Sequence, residues 1–180
     1  MKKEWKKWLP YSGMLLLGTV LAIVQWNRLD KVELLLRLLL TGFGYVAAIQ
    51  DMKEKRVPNR LVTAMLGGWV LVMMPSLFMR TEESLFLLFS GVVGFLLAGF
   101  IFLTVYLVSR KGLGGGDVKL MAVSGLYLGF NGVLPAMLYG SVLAALVSLT
   151  LIVMKKITPK DSIPLVPFLY VGMMLTILIR

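Results

Sequence analysis

The chain of 180 residues contains no histidine and no cysteine, and each absence restricts the chemistry available to it. Together they exclude zinc sites built on these residues, thiol nucleophiles, Ser-His-Asp triads and disulfide bonds. Acidic residues are also scarce, with nine Asp and Glu against nineteen Lys and Arg. An enzyme with this composition must use carboxylates, lysines, hydroxyl groups or the backbone, so each of the few carboxylates is a candidate.

Apolar residues make up 58% of the chain, and the mean hydropathy is +0.86. They form seven blocks, six of which approach the roughly 20 residues that a membrane-spanning helix needs. The six long blocks cover residues 9–26, 34–50, 61–79, 84–108, 133–154 and 163–179, and the short one covers residues 118–130. This pattern predicts an all-α, polytopic integral membrane bundle of about six to seven transmembrane helices in the lipid bilayer.

The breaks between blocks are short and polar, which predicts one membrane-embedded domain over residues 1–180. Within it we expect an extra N-terminal helix in residues 1–33 and a functional core in residues 34–180. The basic start from Met1 to Lys7 is similar to a signal peptide, but no Ala-x-Ala-type cleavage site follows the first block. We therefore expect the first helix to be retained.

The positions of the basic residues predict the topology. If all seven blocks span the membrane and the N-terminus is cytoplasmic, 14 of the 19 basic residues lie on the cytoplasmic side, in agreement with the positive-inside rule. These 14 are Lys2, Lys3, Lys6, Lys7, Lys53, Lys55, Arg56, Arg60, Arg110, Lys111, Lys119, Lys155, Lys156 and Lys160. Topology thus explains the net charge of +10, and no nucleic-acid partner is needed.

Two aspartates fall on the same predicted face, although they are far apart in sequence. Asp51 closes the second block, and Asp117 follows the run Gly114-Gly115-Gly116 at the start of the short block. Two carboxylates held close together cannot both ionise easily, so one pKa rises while the other stays low. One carboxylate can then take a proton from water while the other donates to a carbonyl oxygen, with no cofactor or metal. Glycines at such a place permit close approach of a substrate strand.

Simpler interpretations of these residues remain open. Asp51 could be an ordinary interfacial residue beside basic neighbours, Asp117 could be a helix-start residue, and the glycine run could be a flexible connector. Gly125-x-x-x-Gly129 is typical of a helix-packing face, as are the pairs Gly94/Ala98 and Gly140/Ala144.

Taken together, these residues resemble the type IV prepilin peptidase family of membrane aspartyl proteases. Gly114 to Asp117 matches the family's Gly-x-Gly-Asp motif, and Asp51 is followed by a basic residue and a Pro-Asn pair, as in the family. The stretch from Pro164 to Phe168 is similar to a Pro-x-x-Pro-Phe segment near the C-terminus of family members. The resemblance covers the chain from about Ala47 onward.

The resemblance implies a membrane aspartic endopeptidase that cuts the basic leader from pilin-like precursors at the cytoplasmic membrane face. Asp51 and Asp117 would be the catalytic pair, with acid and base roles unassigned, and Gly114, Gly115 and Gly116 would form a substrate-binding backbone loop. Larger bacterial members carry a four-cysteine zinc domain associated with N-methylation. Because this chain lacks cysteine, we expect the minimal form without that methyltransferase domain.

Two rival functions belong to other classes of membrane protein. A proton- or cation-coupled transporter or channel would also use carboxylates such as Asp51 and Asp117. A structural membrane subunit would leave both aspartates merely interfacial. No inverted repeat is visible, and both aspartates lie at one membrane boundary, which favours the peptidase over the transporter. The sequence does not indicate an oligomeric state.

Overall fold

The computed structural model folds the apolar blocks into helices that run back and forth in a bundle. It describes residues 13, 18–21, 24–25, 30–79, 81–109, 113–158 and 163–179, and the described residues include no β-strand. Most of the predicted first helix, residues 9–26, lies outside the described residues. From residue 30 onward the described helices are α1 (Lys31–Glu54), α2 (Asn59–Met79), α3 (Thr81–Val108), α4 (Gly115–Val153) and α5 (Val166–Ile179).

Local chemistry sets both ends of α1. Asp30 precedes the first turn, and its side chain accepts a hydrogen bond from the Val32 N–H, which satisfies one of the unpaired donors at a helix start. At the other end Lys55 takes a left-handed conformation, with φ of 52°, and its N–H donates to the Asp51 carbonyl oxygen. Asp51 therefore lies in the last turn of the helix, beyond the apolar block.

The helix α4 is a hairpin of two arms. A straight helix of its 39 residues would be about 58 Å long. Yet Asp117 near its start and Ile152 near its end line the same cavity, so the chain must reverse direction between them. The reversal lies at Gly129, whose φ of 67° and ψ of 178° are not helical. We call residues 115–128 the first arm and residues 130–153 the second arm.

The reversal corrects the predicted position of one break in the sequence. The break was expected at Asn131-Gly132, but both residues are helical and Gly129 makes the turn. Glycine is required there because a positive φ strains other residues and because a Cβ would lie 2.5 Å from the Ser90 hydroxyl oxygen. The predicted packing role of Gly129 is confirmed, because a Cβ on Gly94 would lie 2.8 Å from the Gly129 carbonyl carbon. The Ser90 hydroxyl oxygen also accepts a hydrogen bond from the Phe130 N–H at 3.1 Å, directly after the turn.

Glycines bring neighbouring helices into backbone contact, as predicted for Gly94, Gly125 and Gly140. A Cβ on Gly125 would lie 2.3 Å from the Gly94 carbonyl oxygen, so the first arm crosses α3 with no room for a side chain. A Cβ on Gly140 would lie 2.8 Å from the Leu169 Cα, which fixes the second arm against α5. Close approach of this kind is how small residues hold membrane helices together.

The described part of the chain contains four helices that are long and apolar enough to cross a membrane, and α5 is a shorter apolar helix. Because α4 is a hairpin, this gives six passes through the bundle, and the short fifth block corresponds to the first arm. The predicted all-α membrane bundle is confirmed, and the protein is a multi-pass membrane protein.

Candidate active site

Asp51 is held at the end of α1 by the beginning of α5. Its side chain is only 4% exposed, and its Oδ2 accepts a hydrogen bond from the Val166 N–H at 3.0 Å. The first N–H groups of a helix have no partner within the helix and carry a partial positive charge. The start of α5 therefore fixes the orientation of the Asp51 carboxyl group and offsets part of the cost of burying its negative charge.

Asp117 occupies the first turn of α4 and is half-buried. Its Oδ2 accepts a hydrogen bond from the Gly114 N–H at 3.2 Å, while its own N–H donates to the Gly114 carbonyl oxygen at 3.1 Å. Asp117 thus has the geometry of a helix-start residue, which is its simplest interpretation. That role leaves the carboxylate at the cavity wall, so the structural and the catalytic interpretations are compatible.

Both aspartates line one open cavity of about 580 Å³. Because both carboxylates line the same cavity, repulsion between like charges would disfavour ionisation of both at once. The remaining wall combines segments that are distant in sequence: Lys55, Arg56, Val57, Leu113, Gly114, Gly115, Gly116, Ser148, Ile152, Ile157, Thr158, Ile163, Pro164 and Leu165.

Two contacts join the segment after Asp51 to the segment around Asp117. A Cβ on Gly116 would lie 3.0 Å from the Val57 carbonyl oxygen, so this glycine permits the two backbones to approach. The Lys119 Nζ donates a hydrogen bond to the Asn59 Oδ1 at 3.1 Å across the same junction. The segment that follows Asp51 therefore packs directly on the segment around Asp117. This contact determines the relative positions of the two carboxylates.

The three glycines of the loop have different surroundings. A Cβ on Gly114 would meet the Asp117 Oδ2 at 3.1 Å, and one on Gly116 would press on Val57, but one on Gly115 would meet nothing within 4 Å. Gly114 and Gly116 are thus explained by packing around the carboxylate. Gly115 faces open space in the cavity wall, where the absence of a side chain leaves backbone accessible to a bound molecule.

Sequence reasoning missed several parts of the site. The Val166 N–H is a backbone group with no residue signature, although the matched Pro164 to Phe168 stretch marks the region. Ser148, Ile152 and Thr158 line the cavity only because α4 reverses direction at Gly129, and nothing in their own positions indicated this. Lys55 and Arg56, which were counted only for topology, bring two cations to the cavity that contains both aspartates.

The geometry offers two carboxylates in one open cavity, each hydrogen-bonded to a backbone N–H at the start of a helix. Among the described residues, no three His, Cys, Asp or Glu side chains cluster in a way that could hold a metal ion. The chemistry that this arrangement supports directly is proton transfer to and from a water molecule and a polarised carbonyl group.

Comparison with known proteins places this arrangement in a family. The model of the Type IV leader peptidase family matches residues 38–149, which include both aspartates and the glycine run. The chain belongs to the Type IV leader peptidase family. The resemblance inferred from the sequence motifs is thereby confirmed, and the family match extends from α1 into the second arm of α4.

Similar proteins include three named Prepilin leader peptidase/N-methyltransferase. The Bacillus subtilis protein is 27% identical over 134 residues, 74% of this chain and 51% of its own length. The Xanthomonas campestris protein is 26% identical over 122 residues, 68% of this chain and 42% of its own length. The Stutzerimonas stutzeri protein is 29% identical over 157 residues, 86% of this chain and 53% of its own length. The chain therefore spans about half the length of these relatives. No solved structure matches it significantly.

Proposed function

We propose that this chain is an aspartic endopeptidase that removes the basic leader from pilin-like precursor proteins at the cytoplasmic face of the cell membrane. The observation that carries the proposal is that Asp51 and Asp117 line one open cavity at one end of a membrane bundle. Family membership and the names of the relatives supply the substrate class. The peptidase core would comprise residues 34–180, and Gly114, Gly115 and Gly116 would bind the substrate backbone.

In the proposed reaction the two carboxylates hold one proton between them. The ionised carboxylate takes a proton from water as the water oxygen attacks the scissile carbonyl carbon, and the protonated carboxyl group donates to the carbonyl oxygen. The tetrahedral intermediate then collapses: the C–N bond breaks as the carboxyl group that took the proton from water gives a proton to the leaving amine. The other carboxylate takes a proton from one hydroxyl group of the intermediate, so the pair again holds one proton. No covalent enzyme intermediate is formed. Because the groups titrate as a pair, neither aspartate is assigned permanently as acid or base.

The charge distribution supports the proposed orientation. Lys55 and Arg56 lie at the cavity, and Lys53, Arg60, Lys155 and Lys156 lie in the same connecting segments or next to them. Basic residues in short loops favour the cytoplasmic side. This orientation would put the cavity on the side where a precursor carries its leader before export.

The experiment that tests the proposal is reconstitution of the purified chain in liposomes with a precursor that has a basic leader, a glycine and an apolar helix. We expect a shortened precursor and a released leader peptide. The same liposomes, loaded with a pH-sensitive dye, report proton flux. Proton flux without any cleavage would favour the transporter and contradict the peptidase.

Gly116 and a glycine outside the cavity provide a matched pair of variants. Gly116→Ala is expected to lower kcat/KM for precursor cleavage about tenfold or more, because its methyl group would press on the Val57 backbone and displace Asp117. Gly67→Ala also adds a methyl group where nothing lies within 4 Å, but Gly67 does not line the cavity, so kcat/KM is expected to stay within about threefold of the parent. Initial rates over a range of precursor concentrations give both values. Equal effects of the two changes would contradict the packing role assigned to Gly116.

A further inference from the structure

A second, apolar cavity lies beside the one that contains the aspartates. It has a volume of about 320 Å³ and lies between α3 and the second arm of α4. Its lining is almost entirely apolar and includes Val105, Leu134, Leu138 and Ser141. We call this cavity the lateral groove.

The lateral groove and the aspartate cavity share two wall residues, Leu113 and Leu165. Leu113 immediately precedes the glycine run, and Leu165 immediately precedes Val166, whose N–H holds Asp51. The change from apolar to polar lining therefore occurs next to both carboxylates. A chain passing from the groove into the cavity would cross this boundary beside Asp51 and Asp117.

The lateral groove extends away from the cavity along the second arm of α4. Leu138 lies ten residues before Ser148, which is about 15 Å along the second arm. The groove is also open at the side: the Leu138 side chain is 60% exposed, in a membrane-spanning segment where exposure means contact with lipid. A hydrophobic helix in the bilayer could thus enter it without passing through water.

We infer that the lateral groove binds apolar side chains from the first turns of the precursor's apolar helix, on the carboxyl side of the bond that is cut. The inference rests on the proposed function, because it is the precursor that places a polar leader directly before an apolar helix. That order matches the polar cavity and apolar groove that meet at Leu113 and Leu165. A lipid tail would occupy only the apolar groove. A precursor, with its polar leader followed by an apolar helix, would occupy the aspartate cavity and the lateral groove together.

The test compares two substrates on groove-filling variants. One substrate is the full precursor, and the other is a short peptide with the leader and the cleaved bond but no apolar helix. Leu138→Trp and Ser141→Trp narrow the groove, and Leu146→Trp is the control, on an exposed position of the same arm outside the groove. We expect the groove variants to raise KM for the full precursor about tenfold, since losing the burial of one apolar side chain costs about that factor.

For the short peptide, kcat/KM should stay within about twofold of the parent in all three variants, because the peptide does not reach the groove. Equal loss on both substrates, or unchanged cleavage of the full precursor, would overturn the inference. Failure of the proposed function itself looks different, since the parent chain would then cut neither substrate.

A photo-crosslinking experiment provides a second measurement that does not depend on turnover. A benzophenone side chain at position 138 of the Asp117→Asn variant should crosslink to the full precursor, whereas the same group at position 146 should crosslink to lipid. Crosslinks to lipid alone at position 138, in liposomes that contain excess precursor, would contradict the inference.

Discussion

Replacing Asp51 or Asp117 with asparagine is expected to lower kcat for precursor cleavage by about 10²–10⁴-fold, because each change removes a group that must transfer a proton. Asparagine keeps the size of the side chain, and its amide oxygen can still accept the hydrogen bond that Val166 or Gly114 donates. The fold should therefore survive both changes. Initial rates with saturating precursor measure the effect, and thermal unfolding of each purified variant checks its integrity.

Glu54→Gln is the matched control for Asp51→Asn. Glu54 is an exposed acidic residue three positions further along the same helix end, and it does not line the cavity. Its neutralisation removes one negative charge near the site without touching either carboxylate, so kcat should stay within about twofold of the parent. If either asparagine variant, while folded, cuts at the rate of the Glu54→Gln variant, the two aspartates are not the catalytic pair.

Gly125→Ala is expected to cause a large loss of stability for a change of one methyl group. The new methyl group would lie 2.3 Å from the Gly94 carbonyl oxygen and 2.8 Å from the Phe95 nitrogen, both backbone atoms that cannot rotate away. Overpacking of this kind costs about 1–3 kcal/mol or more, and at this crossing it would push the first arm of α4 off α3. Thermal unfolding in a fixed detergent should show a clearly lower midpoint.

Gly67→Ala provides the comparison for this change. Gly67 also lies inside a membrane-spanning helix, but a Cβ there meets nothing within 4 Å. Alanine is a better helix former than glycine by roughly 0.5–1 kcal/mol, so this variant should be at least as stable as the parent. Equal unfolding midpoints for the two variants would mean that the contact between Gly94 and Gly125 does not hold the first arm in place.

The sequence predicted the number and approximate extent of the described helices because apolar length is a strong signal in membrane proteins. It was less accurate at the ends of helices, because polar residues there determine where each helix stops. The second apolar block ends at Gln50, but α1 continues through Glu54, where the left-handed conformation of Lys55 ends it. The predicted break lay two residues too late, at Asn131-Gly132 instead of Gly129, because Asn131 is the polar residue in this stretch. Only the backbone geometry shows which of the two glycines reverses the chain.

The parts of the site that depend on the type of side chain were predictable from the sequence. Asp51 and Asp117 were singled out because carboxylates are expensive at a membrane boundary, and the charge bias assigned them to one face. The contact between Gly116 and Val57 was not predictable, because it depends on the distance between two backbones. The hydrogen bond from Val166 to Asp51 was missed for the same reason, since any residue other than proline supplies a backbone N–H.

The two halves of the site also explain why a reversal inside α4 matters for function. The first arm presents Asp117, and the second arm returns Ser148 and Ile152 to the same cavity. The second arm in turn packs on α5 through Gly140, and the start of α5 holds Asp51. The hairpin therefore connects the surroundings of one carboxylate to those of the other through a chain of close backbone contacts.

The most direct measurement of the central claim is mass spectrometry of the products that the purified chain makes from a single intact precursor. In the parent reaction we predict two masses that add up to the precursor plus one water, with the cut at the junction of the basic leader and the apolar helix. The same incubation with the folded Asp51→Asn or Asp117→Asn variant should leave the precursor intact. An intact precursor in the parent reaction, or the same two products from both asparagine variants, would contradict the account.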